Sequence, residues 1–466
     1  MIQPIQYLNT VIAACYIVVH DRISLKIYSP DARLIIPITL RGNIFMKKAG
    51  TGKVRGIKED TLIVTIDIGL EMNRGYCTTT DRRDIKPFRF DNTRAGLDRL
   101  WSMIIVNKNR FRCDEVIVGY ESTGPYGEPI GHYLSKKPVT VVQVNPMHTK
   151  RVKEINDNSP LKTDDKDSRV LADIILLGHS LSIVIPEGDA AYLRRLNNSR
   201  ERHVRERTAL LNQLQQLVFL LFPEFRTVIK DIQLKTALYI LNEYLTPEII
   251  GGLKKEDLGE EIRKRSRGKF RESHAEMLIS LAKDTIGIKE GAAGLSMDIR
   301  HILIQLELVN RLIAEIEGEM GITLGRIPYS SKLLSIKGLG TVTVAGLIGE
   351  VGDFKKFKTQ PEIMKLAGLD LYEVSSGKWK GRRRISKRGR NLLRKILYYA
   401  AMQTIRKNGI LHDYYTRLTD RGMKRMMALV AVSRKLLRII HAILRDDGEY
   451  TVNFESMERQ VIKKAA

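Results

Sequence analysis

What this sequence lacks narrows it first. Its 466 residues include only three cysteines, Cys15, Cys77 and Cys113, and no two form a CxxC pair. That excludes a disulfide framework and a cysteine-rich zinc site, and it fits a reducing compartment. Aromatic residues are 6% of the chain against 43% apolar residues overall. Aliphatic, largely helical cores are therefore expected, and the length predicts two to four folding units. The apolar run TVIAACYIVV at 10–19 is too short to cross a bilayer and has no basic segment before it, so neither a membrane span nor a signal peptide is expected. Acid is in deficit: 53 Asp plus Glu stand against 78 Lys plus Arg, a formal net charge of +25. Such an excess calls for a polyanionic partner, although a ribosomal or membrane-surface protein would carry the same charge.

Against that background the acids that do cluster need a reason. LKTDDKDSR at 161–169 sets Asp164, Asp165 and Asp167 within four positions. They open the helical pattern DDKDSRVLADIILLG, where acids offset the macrodipole and cap free N–H groups. Asp164 and Asp167 are three apart and share a helix face, from which Asp165 points away. Two further acids stand at the ends of buried-strand patterns, Asp67 in TLIVTIDIG and Glu121 in DEVIVGYEST. Four carboxylates from two strands and a helix would repel one another unless a cation joins them. Their hard oxygens suit magnesium, whose shell phosphates complete.

The rest of the first half reads as strand and helix in alternation. RGYCTTTD and IKPFRFD continue TLIVTIDIG as a meander, and NTRAGLDRLWSMIIVNKNR is a helix with Asn92 as its expected cap. KPVTVVQVNP is a further strand, so a mixed α/β sheet with helices on its faces is expected. Met46 opens MKKAGTGKVRG, which reads as a natural start and leaves 1–45 as an extension without a usable motif. Leu210, Leu214, Leu217 and Leu221, then Ile299, Ile302, Leu306, Val309, Ile313 and Ile316, follow heptad spacing. They belong either to a coiled-coil seam or to two core-facing helices. Residues 225–290 between them are helical and charged, without a catalytic signal. SIKGLGTVTVAGLIGEVGD at 335–353 resembles a helix-hairpin-helix, whose turn offers N–H groups to phosphate, or is a plain interhelical turn.

The C-terminal region is the most basic. Residues 376–401 hold ten Lys or Arg and no acid, and extension to Arg445 makes twenty against Asp413 and Asp420. Lys378, Lys380, Arg382, Arg383, Arg384, Lys387, Arg388 and Arg390 are the expected contacts to a phosphate backbone. Trp379 would stack on a base or anchor the loop. Ser375 and Ser376 open this run before Gly377. Serines there are commonly turn formers, but a hydroxyl among guanidinium groups can also attack a phosphodiester.

In order, TIDIG, YESTG, KTDxxD, IKGLGTVTVAGLIGEVGDFKKF, AGL, SSG and GRRRISKRGRNLLR resemble the DEDD transposases of insertion sequences, relatives of the Piv DNA invertase that include bridge-RNA-guided serine recombinases. The match runs from about residue 61 to 440. The resemblance implies a RuvC-like, RNase H-type α/β domain at 61–180, a mostly α-helical coiled-coil region at 181–325 and a C-terminal transposase domain at 326–450. An N-terminal extension (1–60) and a tail (451–466) flank them. It implies Asp67, Glu121, Asp164 and Asp167 as catalytic metal ligands for Mg2+ or Mn2+, and Ser376 as nucleophile, with Ser375 the alternative. It further implies donor and target DNA and a guide RNA as partners, a homo-oligomer (dimer or tetramer) sharing active segments between protomers, and a cytoplasmic, nucleoid-associated place in a prokaryote. Two positions depart from the family: the lysine usual soon after the first aspartate is absent from DIGLEMNRG, and Ser168 stands where alanine is usual. A hydrolytic RuvC-like nuclease, a guide-free invertase and a non-catalytic nucleic-acid-binding protein are the rival readings.

Overall fold

The computed structural model describes residues 14–19, 22–27 and 38–39, and then 57–446 and 448 apart from 122–123, 157–163, 183, 377–378 and 382. Residues 1–50 form a unit of their own. In it β1 (Ala14–Val19), β2 (Arg22–Ile27) and β3 (Ile38–Thr39) make an antiparallel sheet.

In the second unit β4 (Thr61–Asp67), β5 (Met72–Thr79) and β6 (Phe88–Asp91) form the expected meander. The helix α1 (Arg94–Phe111) leads to β7 (Glu115–Glu121), α2 (Gly127–Leu134) and β8 (Thr140–Val144). Then come α3 (Pro146–Asn156), α4 (Asp164–Leu176) and a short β9 (Leu181–Ser182). The six strands lie in the order β6-β5-β4-β7-β8-β9, parallel from β4 to β8 and antiparallel at both sides. A mixed α/β sheet is what alternating patterns of this kind produce.

Side-chain parity divides the two faces. Leu62, Val64 and Ile66 of β4, with Val116, Val118 and Tyr120 of β7, pack under Leu100 and Ile104 of α1 and Ile130 and Leu134 of α2. Ile63 and Ile117 point the other way, against Leu171, Ile174 and Ile175 of α4. Successive strand residues alternate between faces, so one strand serves two cores.

One expectation fails here. The N-cap of α1 is Thr93, whose hydroxyl accepts from Gly96 N at 3.1 Å. Asn92 instead donates to the carbonyls of Gly69 (3.0 Å) and Leu70 (2.8 Å) and accepts from Asn73 (2.7 Å). An Asn before a Thr leaves two candidate caps, and only the long-range demand of the β4–β5 turn chooses between them.

The remainder is helical. Two 34-residue helices, α5 (Gly188–Leu221) and α11 (Ala292–Gly325), lie antiparallel, linked by Arg200–Glu317 (2.7 Å) and Arg326–Asp189 (3.0 Å). Their apolar stripes meet, but α5 buries Leu210, Leu214, Val218 and Leu221, with Val218 in the place expected for Leu217. Inserted where α5 ends and α11 begins are α6 (Phe225–Val228), α7 (Lys235–Glu243), α8 (Pro247–Gly251), α9 (Lys255–Arg265) and α10 (Glu272–Lys283). These share one aliphatic core with that end of the pair. The other end, with Leu193, Met320 and Leu324, enters a second core built by α12 (Ser330–Leu334), α13 (Thr341–Val351), α14 (Gln360–Leu366), α15 (Asn391–Thr404), α16 (His412–Asp420) and α17 (Arg425–Arg445). The helix α13 is buried from Val344 through Val351. Its Gly349 lets it lie against α5, where a Cβ would come 2.7 Å from Arg194 N. Among the described residues no helix is long and apolar enough to cross a membrane.

Candidate active site

The site grows from the ends of two strands. Ile66 of β4 is in register with Tyr120 of β7, so Asp67 and Glu121 end neighbouring parallel strands side by side. Their parity is that of Ile63 and Ile117, which sets both acids on the face covered by α4. Directly opposite residues on adjacent strands hold their Cβ atoms about 5 Å apart. Across the antiparallel edge Arg74 is the register partner of Asp67, and Val144 is that of Glu121. One row over the C-terminal edge of the sheet therefore reads Arg74, Asp67, Glu121, Val144.

The helix α4 is packed on this face through Leu171, Ile174 and Ile175, and a buried bond sets its start over the row. Thr65, two residues before Asp67 and on the same face, donates its hydroxyl to the carbonyl of Ser168 at 2.7 Å. Asp167 adjoins that anchor and is half-buried, and Asp164 begins the helix one turn earlier. The structure thus brings Asp67, Glu121 and the start of α4 to one edge of the sheet. The side chain of Asp164 lies outside the described residues. Among the described residues, no group of three or more His, Cys, Asp or Glu side chains is tight enough to hold a metal ion by itself. By chemistry the donors suit a hard cation, because all of them are carboxylate oxygens.

The loop after Asp67 is held firmly. Gly69 N donates to Asn73 Oδ1 at 3.2 Å, and Asn92 closes the same turn from the far side. Behind it, Tyr76 donates to Asp84 at 2.7 Å, and burial with that hydrogen bond pushes its phenol up to about 12. Thr65 and Arg74 were invisible to sequence reasoning. For Arg74 the missing signal was register against β5, which follows from where the β4–β5 turn falls; for Thr65 it was a partner 103 residues away.

The two serines lie on a separate hairpin in the C-terminal region. Strands β10 (Leu371–Tyr372) and β13 (Arg384–Ile385) form its base, and β11 (Ser375–Ser376) and β12 (Trp379–Lys380) its tip. Ser376 pairs with Trp379 across the residues 377–378, and Ser375, which is exposed, pairs with Lys380. The return strand carries one residue more than the outgoing strand between the two pairings, as in a β-bulge, which twists and re-aims a hairpin. Gly381 N donates to Val374 O at 3.0 Å and Arg383 pairs with Glu373 at 2.9 Å. Lys378 and Arg382 lie outside the described residues, as do the side chains of Ser376, Trp379 and Lys380.

Of the other basic positions, Arg383, Arg384, Lys387 and Arg388 are exposed. Arg390 is a correction. Its guanidinium donates to the carbonyls of Glu350 and Val184 (the latter at 2.6 Å), and burial, then Arg194 nearby, brings its pKa down to about 10. It ties the hairpin's exit to α13 instead of facing a phosphate. A local count of charges cannot reveal that, because the two carbonyls come from 40 and 206 residues away.

Comparison with known families agrees with this division. A transposase model of the DEDD IS110 type matches residues 64–223, and a model described as the transposase IS116/IS110/IS902 family matches residues 330–416. Together they cover just over half of the chain, and neither includes α6–α10. The chain is 26% identical to a 44.8 kDa protein of insertion element IS116 from Streptomyces clavuligerus, over 62% of this chain and 73% of that protein. It is 24% identical to a 43.6 kDa protein of insertion element IS110 from Streptomyces coelicolor, over 62% and 72%. With the transposase of element IS1111A from Coxiella burnetii it shares 30% identity over 34% of this chain and 46% of that protein.

Proposed function

Because this chain belongs to the IS116/IS110/IS902 family of transposases, we propose that it mobilises an insertion element by metal-assisted cleavage, exchange and rejoining of DNA strands through a phosphoserine link. The observation that carries the reading is the row at the sheet's edge, where Asp67 and Glu121 are neighbours under the start of α4. Asp67, Glu121, Asp164 and Asp167 would hold Mg2+ or Mn2+, which supplies charge stabilisation at the scissile phosphate. A RuvC-like ancestry for 61–180 agrees with the strand order and with the acids at strand ends.

In this reading Ser376 Oγ attacks the phosphorus, and its proton passes to a carboxylate of the acidic row. The leaving strand takes up a proton as a free hydroxyl end. Attack by a second strand's hydroxyl reverses the step and releases the serine, so no phosphodiester is lost to water. Exposed Arg384, Lys387 and Arg388, with Lys378, Lys380, Arg382 and Arg383, would hold the DNA backbone. The family resemblance and the net charge of +25 support a guide RNA beside donor and target DNA. Residues 326–450 of one protomer would meet 61–180 of another in a dimer or tetramer.

The test is a denaturing gel of protein with Mg2+, the element's RNA and labelled nicked junction DNA. A covalent adduct lost in Ser376→Ala and Asp67→Ala, and kept in Ser375→Ala, supports the composite site. Cleaved DNA without an adduct, indifferent to both serine changes, would replace it with a hydrolytic nuclease.

A further inference from the structure

The segment between the two family matches carries a feature that the proposed chemistry does not use. RKRSRGKFR at 263–271 has six basic residues in nine positions and no acid, the same density as RRRISKRGR at 382–390. It spans the last turn of α9 and the turn into α10, and all six side chains are exposed.

Half of this charge has a local reason. Arg263, Lys264 and Arg265 close α9, where cations complement the helix dipole. Arg265 also pairs with Glu261 (3.4 Å) and lies over the Tyr239 ring (3.4 Å). The other half works against the fold. Arg267 takes a left-handed φ of 55°, which glycine or asparagine would adopt more easily. Lys269 and Arg271 stand just before α10, at a helix N-terminus, where positive charge opposes the dipole. Among the described residues, Arg263, Lys264, Arg267, Lys269 and Arg271 have no carboxylate within ion-pair range.

The turn nevertheless has a defined shape. Gly268 N donates to Arg263 O at 2.8 Å, Lys269 N to Ser266 O at 3.3 Å, and Phe270 N to Ser266 Oγ at 2.9 Å. Phe270 is buried and pins the turn to the inserted core, so the loop has no apolar tip to enter a lipid surface. Its position is remote. The α5–α11 pair is about 50 Å long at 1.5 Å per residue, and α6–α10 sit at the end away from the α12–α17 core.

We propose that the α9–α10 turn is a second nucleic-acid contact, which grips the phosphate backbone of a duplex at the tip of the α5–α11 arm. A row of exposed cations with no carboxylate partner among the described residues, Lys269 lying only over the Phe270 ring, suits a partner with regularly repeated negative charge. Duplex DNA flanking the cleavage site and a structured RNA both present that chemistry, and the measurement separates them. The inference needs the transposase's nucleic-acid partner but not the serine chemistry.

The experiment uses the full chain, wild type beside the triple variant Arg267→Gln, Lys269→Gln, Arg271→Gln. Each binds a DNA duplex of unrelated sequence longer than the arm, and separately a hairpin RNA, across a series of KCl concentrations. For at least one ligand the slope of log K against log salt becomes shallower by about two to three, with affinity down about tenfold or more near 0.1 M salt. The ligand that responds identifies the source. Unchanged slope and affinity for both overturns the proposal. Thermal unfolding of the triple variant is expected at or above the wild-type temperature, because charge opposed to the α10 dipole is removed. If that variant does not fold, Arg271→Gln alone reads the same effect as a slope change of about one. Adduct formation on a junction too short to reach the arm is unchanged in the triple variant. A wild type that forms no adduct speaks against the phosphoserine reading and leaves the salt slopes to decide this one.

Discussion

Thr65 and Ser168, 103 positions apart, are joined by a buried hydrogen bond of 2.7 Å from the threonine hydroxyl to the serine carbonyl. It is the point at which α4, and with it Asp164 and Asp167, is fixed to the strand that ends in Asp67. Thr65→Val keeps the shape and removes the donor. The carbonyl keeps its place in the ladder of α4, so the loss is that of one net hydrogen bond, about 0.5–1.5 kcal/mol, to be read from urea unfolding. Adduct formation should fall by more than the lost folded fraction explains, because the acids are displaced relative to one another.

Asp67→Asn removes one charge from the acidic row. Without divalent metal its unfolding temperature should stay close to that of wild type, since relief of repulsion from Glu121 is offset by loss of attraction to Arg74 across the β4–β5 edge. With Mg2+ the wild type should rise above the variant, because only the wild type gains stability from the bound ion. Loss of adduct by about a hundredfold or more is expected, on the scale of removing one electrostatic stabiliser from a transition state. Equal Mg2+ stabilisation of both proteins would remove Asp67 from the metal site.

If the acidic row and the serine hairpin act between protomers, two dead variants repair one another. Asp67→Ala and Ser376→Ala, each inactive alone, should regain adduct formation when mixed and allowed to exchange subunits. No recovery after verified exchange would place both segments within one chain.

The basic hairpin should separate into two kinds of arginine. Arg384→Gln with Arg388→Gln should leave stability unchanged and make the salt slope of DNA binding shallower by about two. Arg390→Met should do the reverse. It leaves the carbonyls of Glu350 and Val184 without their donor, a loss of about 1–3 kcal/mol, with little change in salt slope once folding is corrected for.

Cys77 is fully buried, and burial pushes its thiol up to about 12 from an ordinary value near 9. The folded state therefore keeps a proton that the unfolded chain releases. This contribution to stability is complete below about pH 9 and is lost as pH rises toward 12. At pH 8 a thiol reagent should modify Cys77 only at the rate of unfolding. Fast labelling of the folded protein would contradict the packing of β5.

Much of this protein was legible in its linear order. The strands TLIVTID and EVIVGYE, the meander and the helical remainder follow from β-branched runs and from heptad spacing, which are local signals. The strand-end positions of Asp67 and Glu121 followed as well, because a strand's period assigns the face and the end of each residue. Tertiary structure alone decided which groups meet: Asn92 serving the β4–β5 turn while Thr93 caps α1, Arg74 opposite Asp67, Arg390 turned inward, and α4 hung from Thr65. For Thr65 and Arg390 the partner is distant in sequence and burial makes the bond obligatory. For Asn92 and Arg74 the partner is set by where the β4–β5 turn falls, and composition and periodicity carry no record of either kind of partner.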